Sequence, residues 1–207
     1  EIPAGSSFTN NFSMNFDGSD DFIELSSAIT LSGVFTVSAW IRPVSISGND
    51  CLILSSATAN TDKIGTNGPT NLQIKLGGST SFISEGGGND FVTNVWQHLL
   101  IIRNSSNVIT AFRNGSSFGS PITNTNTGNY NSMGKFKSVT FLDSKIDQVS
   151  TFNSDQSSNV STIYNSGVPG DLTSLSPSHW YQFNEGSGTT AIDSAGGNNG
   201  TISGATY

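Results

Sequence analysis

Hydrophobic and polar side chains alternate strictly along residues 35–42, which is typical of a β-strand with one buried face. The apolar face carries Phe35, Val37, Ala39 and Ile41, and the polar face carries Thr36, Ser38, Trp40 and Arg42. Pro43 cannot donate the next ladder hydrogen bond, so the strand is predicted to end at Arg42. Its length predicts a strand that crosses a sheet and is paired on both sides.

Similar short apolar or alternating runs recur along the rest of the chain. They predict strands at residues 13–16, 22–25, 51–55, 72–76, 81–84, 96–103, 108–113, 139–142, 145–152, 179–183 and 201–203. Predicted turns join several neighbours, at residues 17–21, Gly77-Gly78, Asn114-Gly115 and Asp143-Ser144. Asn114-Gly115 has the sequence of a type I′ turn, because both positions of that turn need positive φ.

One helix is predicted, over residues 156–165. Asp155 can cap its N-terminus, and Gly167 can take the left-handed stop position. Val160, Ile163 and Tyr164 share one face, and so short an apolar stripe favours a helix lying across the rim of a sandwich.

Short strands about ten residues apart, with one short helix, predict an all-β fold, a two-sheet antiparallel jelly-roll sandwich. A chain of 207 residues suits a single domain of this class. Residues 1–12 are predicted to form an arm or linker and residues 13–207 the jelly roll. Within it, residues 178–207 supply a strand and loop segment that completes the sandwich.

Composition narrows the possible partners. Only 11% of residues are charged, and Ser, Thr, Asn and Gly supply the polar surface, as in secreted, cell-surface or virion proteins. The net charge of -7 argues against nucleic acid and anionic membranes as partners. No apolar run is long enough for membrane insertion. Cys51 is the only cysteine, which excludes an internal disulfide, and a start at Glu1 favours a processed product.

Five segments resemble the laminin-G-like modules of the concanavalin A-like lectin/glucanase superfamily. They are residues 14–24, residues 35–43, Trp96-Gln97-His98, the strand ending in Arg113-Asn114-Gly115, and residues 145–149. The resemblance covers residues 13–167. It implies a concanavalin A-like jelly roll of two curved antiparallel sheets, often stabilised by calcium and often binding glycans or proteins. It does not imply an enzyme.

The tail departs from that family pattern. Residues 180–194 and 198–202 are similar to the segment that usually opens such a module, yet here they close the chain. The tail either folds back into its own sandwich as a permuted strand, or begins a following repeat or fills a neighbour's open edge. The first alternative is favoured, because an unpaired strand carrying Trp180, Tyr181 and Phe183 would be an exposed aggregation edge.

Catalysis is not expected. A glucanase of this superfamily needs two carboxylates flanking the scissile bond. The chain has four glutamates, and none lies in a Glu-x-Asp-x-x-Glu arrangement. Nucleophile elbows, metal-binding histidine pairs and phosphate loops are also missing from the sequence.

Calcium is the cofactor that the sequence favours, because Ca²⁺ binds carboxylate and carbonyl oxygens. One candidate group is Asp17, Asp20 and Asp21 in the first turn, joined by Asp147, which in related sandwiches can lie beside the N-terminal strand. The second group is Asp193 and Asn198, with Asn199. Alternatively, all are ordinary turn residues, where Asp and Asn are common.

Candidate ligand-binding residues are Trp40 and Arg42 on the polar face of the first strand, and Asn129, Tyr130 and Asn131 in a predicted loop. Sugars stack on aromatic rings and hydrogen-bond to amides. The alternative for Trp40 is a core position, which is usual for a tryptophan on a central strand.

Two functional hypotheses remain. The first is a non-catalytic recognition or adhesion module, binding a glycan or surface protein, on a secreted, cell-surface or virion protein. The second is a structural subunit, such as a virion decoration, fibre or surface-layer protein, that self-assembles through its sandwich and tail. Ordered assembly without sugar would favour the second, and saturable glycan binding by a monomer would favour the first.

Overall fold

The computed structural model describes residues 8–46, 51–86 and 90–207, and it confirms the two-sheet antiparallel sandwich. The first sheet contains β1 (Met14–Asp17), β3 (Phe35–Pro43), β8 (Gln97–Arg103), β9 (Val108–Arg113), β10 (Ser116–Thr123), β14 (Asp143–Phe152) and β15 (His179–Tyr181). The second contains β2 (Phe22–Leu31), β4 (Leu52–Ser55), β5 (Lys63–Thr66), β6 (Asn71–Leu76), β7 (Ser79–Ser84), β11 (Gly128–Met133), β16 (Thr190–Ala191) and β17 (Gly200–Ser203). A small separate hairpin joins β12 (Lys135–Phe136) to β13 (Thr140–Phe141).

Strand order places β3 near the middle of the first sheet. That order is β1-β14-β3-β8-β9-β10, and β15 also pairs with β14. The order of the second sheet is β16-β17-β2-β11-β4-β5-β6-β7. The prediction that β3 is paired on both sides is confirmed, by β14 and β8. The turns at Gly77-Gly78 and Asn114-Gly115 are also confirmed, with positive φ at all four residues.

Two apolar layers bury the first sheet on both faces. The main core lies between the sheets and includes Phe35, Val37, Ala39 and Ile41 of β3. A second cluster lies on the other face of the first sheet and consists of Leu100, Ile102, Phe152, Ile163, Leu172 and Trp180. The polar face predicted for β3 is therefore buried as well, at Thr36, Ser38 and Trp40. We call this second side the covered face.

The helix contributes to this cover, so its predicted place on the rim is wrong. The α-helix is only α1 (Val160–Tyr164), preceded by a 3₁₀ turn at Ser157–Asn159 and followed by another at Asn165–Gly167. Ile163 packs into the covered face, so the apolar stripe of the helix lies against the first sheet. Asp155 accepts a hydrogen bond from the Ser157 backbone N–H at 2.9 Å, and the left-handed positions run from Asn165 to Gly167.

Two predicted local strand pairs are also wrong. Residues 17–21 do not return β1 to β2 as a hairpin, because β1 pairs with β14 in one sheet and β2 pairs with β11 and β17 in the other. Asp143-Ser144 is not a turn but the start of β14, and β13 pairs with β12 instead. In both places a chain segment that alternates locally crosses to a different sheet.

The C-terminal residues lie within the domain's own sheets. β15 pairs with β14, β17 pairs with β2, and Thr206 forms a two-way backbone bridge with Asn15 of β1. Tyr181 and Phe183 face the main core, whereas Trp180 packs into the covered face. Trp180 therefore lies on the opposite side of the first sheet from Tyr181 and Phe183, and both sides are apolar.

Residues 8–12 also pack onto the domain. Asn184 accepts hydrogen bonds from the backbone N–H groups of Asn11 and Phe12, and its amide donates to the Thr9 carbonyl. Phe8 stacks on Trp180 with ring centroids 5.8 Å apart. These residues therefore do not extend away from the domain as an arm. Residues 1–7, including Glu1, lie outside the described part of the chain.

Candidate ligand-binding site

A cleft of about 290 Å³ opens on the covered face, where the apolar layer ends. Its walls come from the segment before β1, from β3, β14 and the approach to β8, and from the loop after α1. The lining residues are Asn10, Asn11, Phe12, Ser13, Trp40, Trp96, Asp147, Gly167 and Pro169. We call it the tryptophan cleft, after Trp40 and Trp96.

Trp40 lies at the inner end of the cleft, packed against two other rings. Its ring stacks on Tyr164 of α1 at 6.0 Å between centroids, and lies against His98 at 5.1 Å. The register of the sheet sets this position, since Trp40 is the cross-strand partner of both His98 on β8 and Asp147 on β14. Trp40 is 6% exposed, so it is mainly a core residue with one edge in the cleft.

The outer rim of the cleft is aromatic and accessible. Trp96, the residue before β8, is 37% exposed, and Phe12 is 44% exposed. An indole combines a large apolar face with a polar N–H, which suits a surface that is partly wet. Trp96 and Phe12 could therefore offer ring faces to a ligand while Trp40 closes the inner end.

A β-bulge places the polar group of the cleft. The register between β14 and β3 shifts between Asp147 and Ser150, and Gln148 has a positive φ of 50°. Because Ile146 and Val149 both face the main core, Asp147 and Gln148 together face the other way. Bulges often redirect side chains next to functional sites.

Asp147, Gln148 and Asn10 form one hydrogen-bonded network. The Asn10 amide donates to Asp147 Oδ2 at 2.7 Å, and the Gln148 backbone N–H donates to Asp147 Oδ1 at 2.8 Å. The Gln148 side chain donates to Asn10 Oδ1 at 2.7 Å and accepts from the Trp180 indole at 2.8 Å. The network joins three distant parts of the chain and fixes the carboxyl group in the cleft wall.

Burial shifts the protonation of two groups here. It raises the pKa of Asp147 to about 7, although hydrogen bonds from Asn10 and Gln148 act in the opposite direction. Burial lowers the pKa of His98 to about 3, so this ring is neutral at physiological pH. His98 Nε2 shares a hydrogen bond of 2.8 Å with the Ser38 hydroxyl. The charge that can appear in the cleft wall near neutral pH is therefore that of Asp147.

The five predicted ligand-binding residues do not come together. Trp40 lines the tryptophan cleft, but Arg42 Nε donates to the Asn94 carbonyl at 3.0 Å and does not line it. Residues 129–131 belong to β11 and not to a loop. Tyr130 points into the core, where its hydroxyl donates to the Lys75 carbonyl at 3.1 Å.

Asn129 and Asn131 line a separate, more open depression of about 410 Å³ on the second sheet. No aromatic residue is among the described residues that line it. Asn129 accepts a hydrogen bond from the Thr30 hydroxyl, and Asn131 accepts one from the Ala57 backbone N–H. Part of their hydrogen-bonding capacity is thus already used within the protein.

The first predicted metal group is only partly assembled. Asp17, Asp20 and Asp21 each offer a carboxylate oxygen, and these three atoms lie within 4.8 Å of one another. Burial raises the pKa of Asp21, and the negative charges of Asp17 and Asp20 add to this, against a hydrogen bond from the Asp17 backbone N–H. Asp147 is not close to them, because Asp17 pairs with Asp143, about 13 Å along β14 from Asp147.

The second predicted metal group forms a hydrogen-bonded turn. The two oxygens of Asp193 accept from the backbone N–H groups of Trp180, Ala195, Gly196 and Asn198, and from His179 Nδ1. The Asn198 side chain binds the backbone and hydroxyl of Ser27 and the hydroxyl of Ser26. In the described structure these side chains tie the C-terminal segment to β2 and β15.

Sequence reasoning did not assign Asn10, Phe12 or Trp96 to a site. Asn10 and Phe12 lay in the predicted arm, and Trp96 was assigned only to a strand. One signal was available for Trp96, because strand alternation places it on the same face of β8 as His98. No local pattern indicated that residues 10–12 would pack beside Asp147.

Comparisons with known proteins agree with the fold. A laminin-G-like family model, described as the concanavalin A-like lectin/glucanases superfamily, matches residues 17–160. No curated protein matches the sequence significantly. Within the described residues, no helix is both long and apolar enough to span a membrane.

Several solved structures are similar. A Bacteroides ovatus protein to which carbohydrate binding is provisionally ascribed is 17% identical, with a TM-score of 0.66 over 94% of this chain and 59% of its own. The heptameric SAP-like pentraxin of Limulus polyphemus is 16% identical, with a TM-score of 0.60 over 93% of this chain and 95% of its own. Domains LG4-5 of the mouse laminin alpha1 chain are 13% identical, with a TM-score of 0.50 over 69% of this chain and 41% of their own. At these identities the likeness concerns the fold.

Proposed function

Because the chain belongs to the concanavalin A-like lectin/glucanases superfamily, we propose that it is a non-catalytic carbohydrate-binding module whose saccharide binds in the tryptophan cleft. The observation that carries the proposal is the composition of the cleft. Exposed rings of Trp96 and Phe12 surround a carboxyl group and an amide held by a fixed network. Binding sites of small ligands commonly combine apolar walls with a few positioned polar groups.

A binding role suits the cleft better than hydrolysis does. Standard glycoside hydrolysis needs two carboxyl groups on opposite sides of the glycosidic bond. Among the described residues that line the cleft, Asp147 is the only carboxylic acid. One carboxyl group can hold a sugar hydroxyl, but it cannot serve as both acid and nucleophile.

Replacing Trp96 by alanine is expected to weaken saccharide binding by about 10- to 100-fold, since buried tryptophan contacts often contribute 2 kcal/mol or more. Calorimetric titration with oligosaccharides selected on a glycan array would measure it. The matched control is Phe82→Ala on β7, because Phe82 is an aromatic residue of similar exposure outside the cleft. Equal affinity of wild type and Trp96→Ala would exclude this cleft as the site.

We further propose that the turn after β1 binds Ca²⁺. The three clustered side chains of Asp17, Asp20 and Asp21 offer only oxygen ligands, which is the donor type that Ca²⁺ prefers. Backbone carbonyls and water would have to complete its six to eight ligands. Burial, and to a smaller extent the charges of Asp17 and Asp20, raise the pKa of Asp21, and a bound cation would favour its ionised form.

Calcium in excess is expected to raise the melting temperature by several degrees. A ligand at 100 times its dissociation constant stabilises by about 2.7 kcal/mol, and about 1 kcal/mol corresponds to 2–4 °C in a domain of this size. Asp20→Asn should remove the effect, because it replaces one of the three clustered carboxylates. The substitution should leave the fold intact, because Asp20 is exposed and its carboxylate makes no hydrogen bond within the described structure. Asp155→Asn is a charge-matched control. An unchanged melt in calcium and in chelator would contradict the proposal.

We propose that the protein is displayed outside the cell, on a cell or virion surface. It is supported by the low charge content and by the surface rich in Ser, Thr, Asn and Gly. The partner would then be a surface glycan or glycoprotein. The alternative of a self-assembling structural subunit has less support, since β15 and β17 pair within their own chain.

A further inference from the structure

The carboxyl group of Asp147 leaves acceptor capacity for a ligand in the wall of the tryptophan cleft. An ionised carboxylate can accept about four hydrogen bonds. Asp147 accepts two, one from Asn10 and one from the Gln148 backbone. About two lone-pair positions therefore remain, and Asn10 Oδ1 keeps one in addition to the bond from Gln148. Neutral donors line the cleft as well, because the side chains of Asn11, Ser13 and Trp96 carry N–H or O–H groups and Asn10 keeps its second amide N–H.

Positive charge is not available in the lining of the cleft. None of the described lining residues is lysine, arginine or histidine. The cations nearest in register are Arg42 on β3 and Lys145 on β14, each two residues from the Trp40–Asp147 pair. Arg42 uses its Nε on the Asn94 carbonyl, and Lys145 is bracketed on its own strand face by Asp143 and Asp147.

A ligand for such a site should donate hydrogen bonds and carry no negative charge. Hydroxyl groups of an uncharged sugar meet both requirements, and a hydrogen bond to an ionised acceptor is roughly twice as strong as a neutral one. A carboxylate or sulfate group would meet the negative charge of Asp147 and no cation, in a partly desolvated wall where like charges repel more strongly than in bulk water.

We propose that the cleft selects uncharged saccharides, anchored by donation of a sugar hydroxyl to Asp147, and discriminates against acidic glycans. This inference rests on the proposed carbohydrate binding. It adds the class of glycan and the residue that selects it. The aromatic rim supplies contact area to either class, so the discrimination depends on the polar wall.

The test compares neutral oligosaccharides with carboxylated and sulfated derivatives of the same backbones. Binding is measured by calorimetry at pH about 8, above the pKa of Asp147, so that its carboxylate is ionised. Wild-type protein should bind the neutral form at least tenfold more tightly. Asp147→Asn, which keeps the size of the side chain, should weaken neutral binding about tenfold and reduce the discrimination. Asp155→Asn removes the same charge from an exposed site outside the cleft and should change neither.

Salt dependence gives a second readout that needs only the wild type. Repulsion from Asp147 predicts that acidic derivatives bind more tightly as salt increases, whereas binding through cations would weaken. Acidic glycans that bind as tightly as neutral ones, and lose affinity in Trp96→Ala, would overturn the inference but leave the proposed function intact. Failure of every saccharide class to bind would overturn both.

Discussion

Deleting every residue after Pro177 is expected to prevent the domain from folding. The deletion removes β15, β16 and β17, and with them the buried rings of Trp180, Tyr181 and Phe183. Each large aromatic side chain lost from a core costs about 3–5 kcal/mol. Three such losses approach or exceed the 5–15 kcal/mol that stabilises a typical domain.

The truncated chain should lack a cooperative thermal transition and should aggregate, as seen by circular dichroism and size-exclusion chromatography. Within the full chain, Phe183→Ala should be strongly destabilising because Phe183 is fully buried, whereas Ile192→Ala should have little effect because Ile192 is 47% exposed. A truncated protein that remains monomeric with an unchanged melt would show that the tail completes another copy or a following repeat.

The second large effect is expected from Asp193→Ala, with a loss of about 3–5 kcal/mol. The Asp193 side chain is fully buried and accepts from five N–H groups, including His179 Nδ1 at 2.7 Å and the Trp180 backbone at 2.8 Å. Alanine leaves these donors unpaired, and removing one partner of a buried charged network costs about this much. The melting temperature should fall by roughly 10 °C or more.

Two variants calibrate the Asp193 experiment. Asp193→Asn keeps one oxygen and should lose less stability. Asp171→Ala removes an exposed carboxylate that accepts from the Thr173 N–H at 2.8 Å, and it should be nearly neutral. If Asp193→Ala melts like the wild type, the hydrogen-bonded turn does not hold the C-terminal segment in place.

Acid should abolish the contribution of Asp193. Burial opposes ionisation of this carboxyl, but hydrogen bonds from His179, Trp180, Gly196 and Asn198 outweigh burial and hold its pKa below the usual range. A group whose folded pKa is depressed stabilises fully above its unfolded pKa of about 3.9, and loses that contribution as the pH falls. Asp147, whose pKa is raised, has the opposite trend between about pH 4 and 7. The pH dependence of the melting temperature is therefore compared between wild type and Asp193→Asn, because Asp147 contributes to both proteins alike.

The sequence alone determined the class of fold and most strand positions. Alternation over residues 35–42 and the turn residues Asn114-Gly115 are local signals, because side-chain direction and positive φ depend on neighbouring residues only. The strand near residues 179–183 was equally readable. The pairing partners of the strands were harder to predict from the sequence. The chain between β1 and β2, for example, crosses from one sheet to the other.

The helix position and the burial of the polar face of β3 required the tertiary structure. Thr36 and Ser38 are polar, yet both are buried, because Ser154 and His98 supply their hydrogen bonds. Such partners lie more than fifty residues away in sequence. Polarity therefore indicated the wrong environment for these positions.

The candidate cleft was decided by tertiary structure alone. Asn10, Trp40, Trp96 and Asp147 belong to four separate segments, and a single bulge at Gln148 directs Asp147 toward the other three. The sequence named Trp40 and Asp147 but assigned them to different sites. A periodic pattern specifies which face a side chain occupies, whereas the neighbours on that face depend on sheet order and register, which long-range contacts determine.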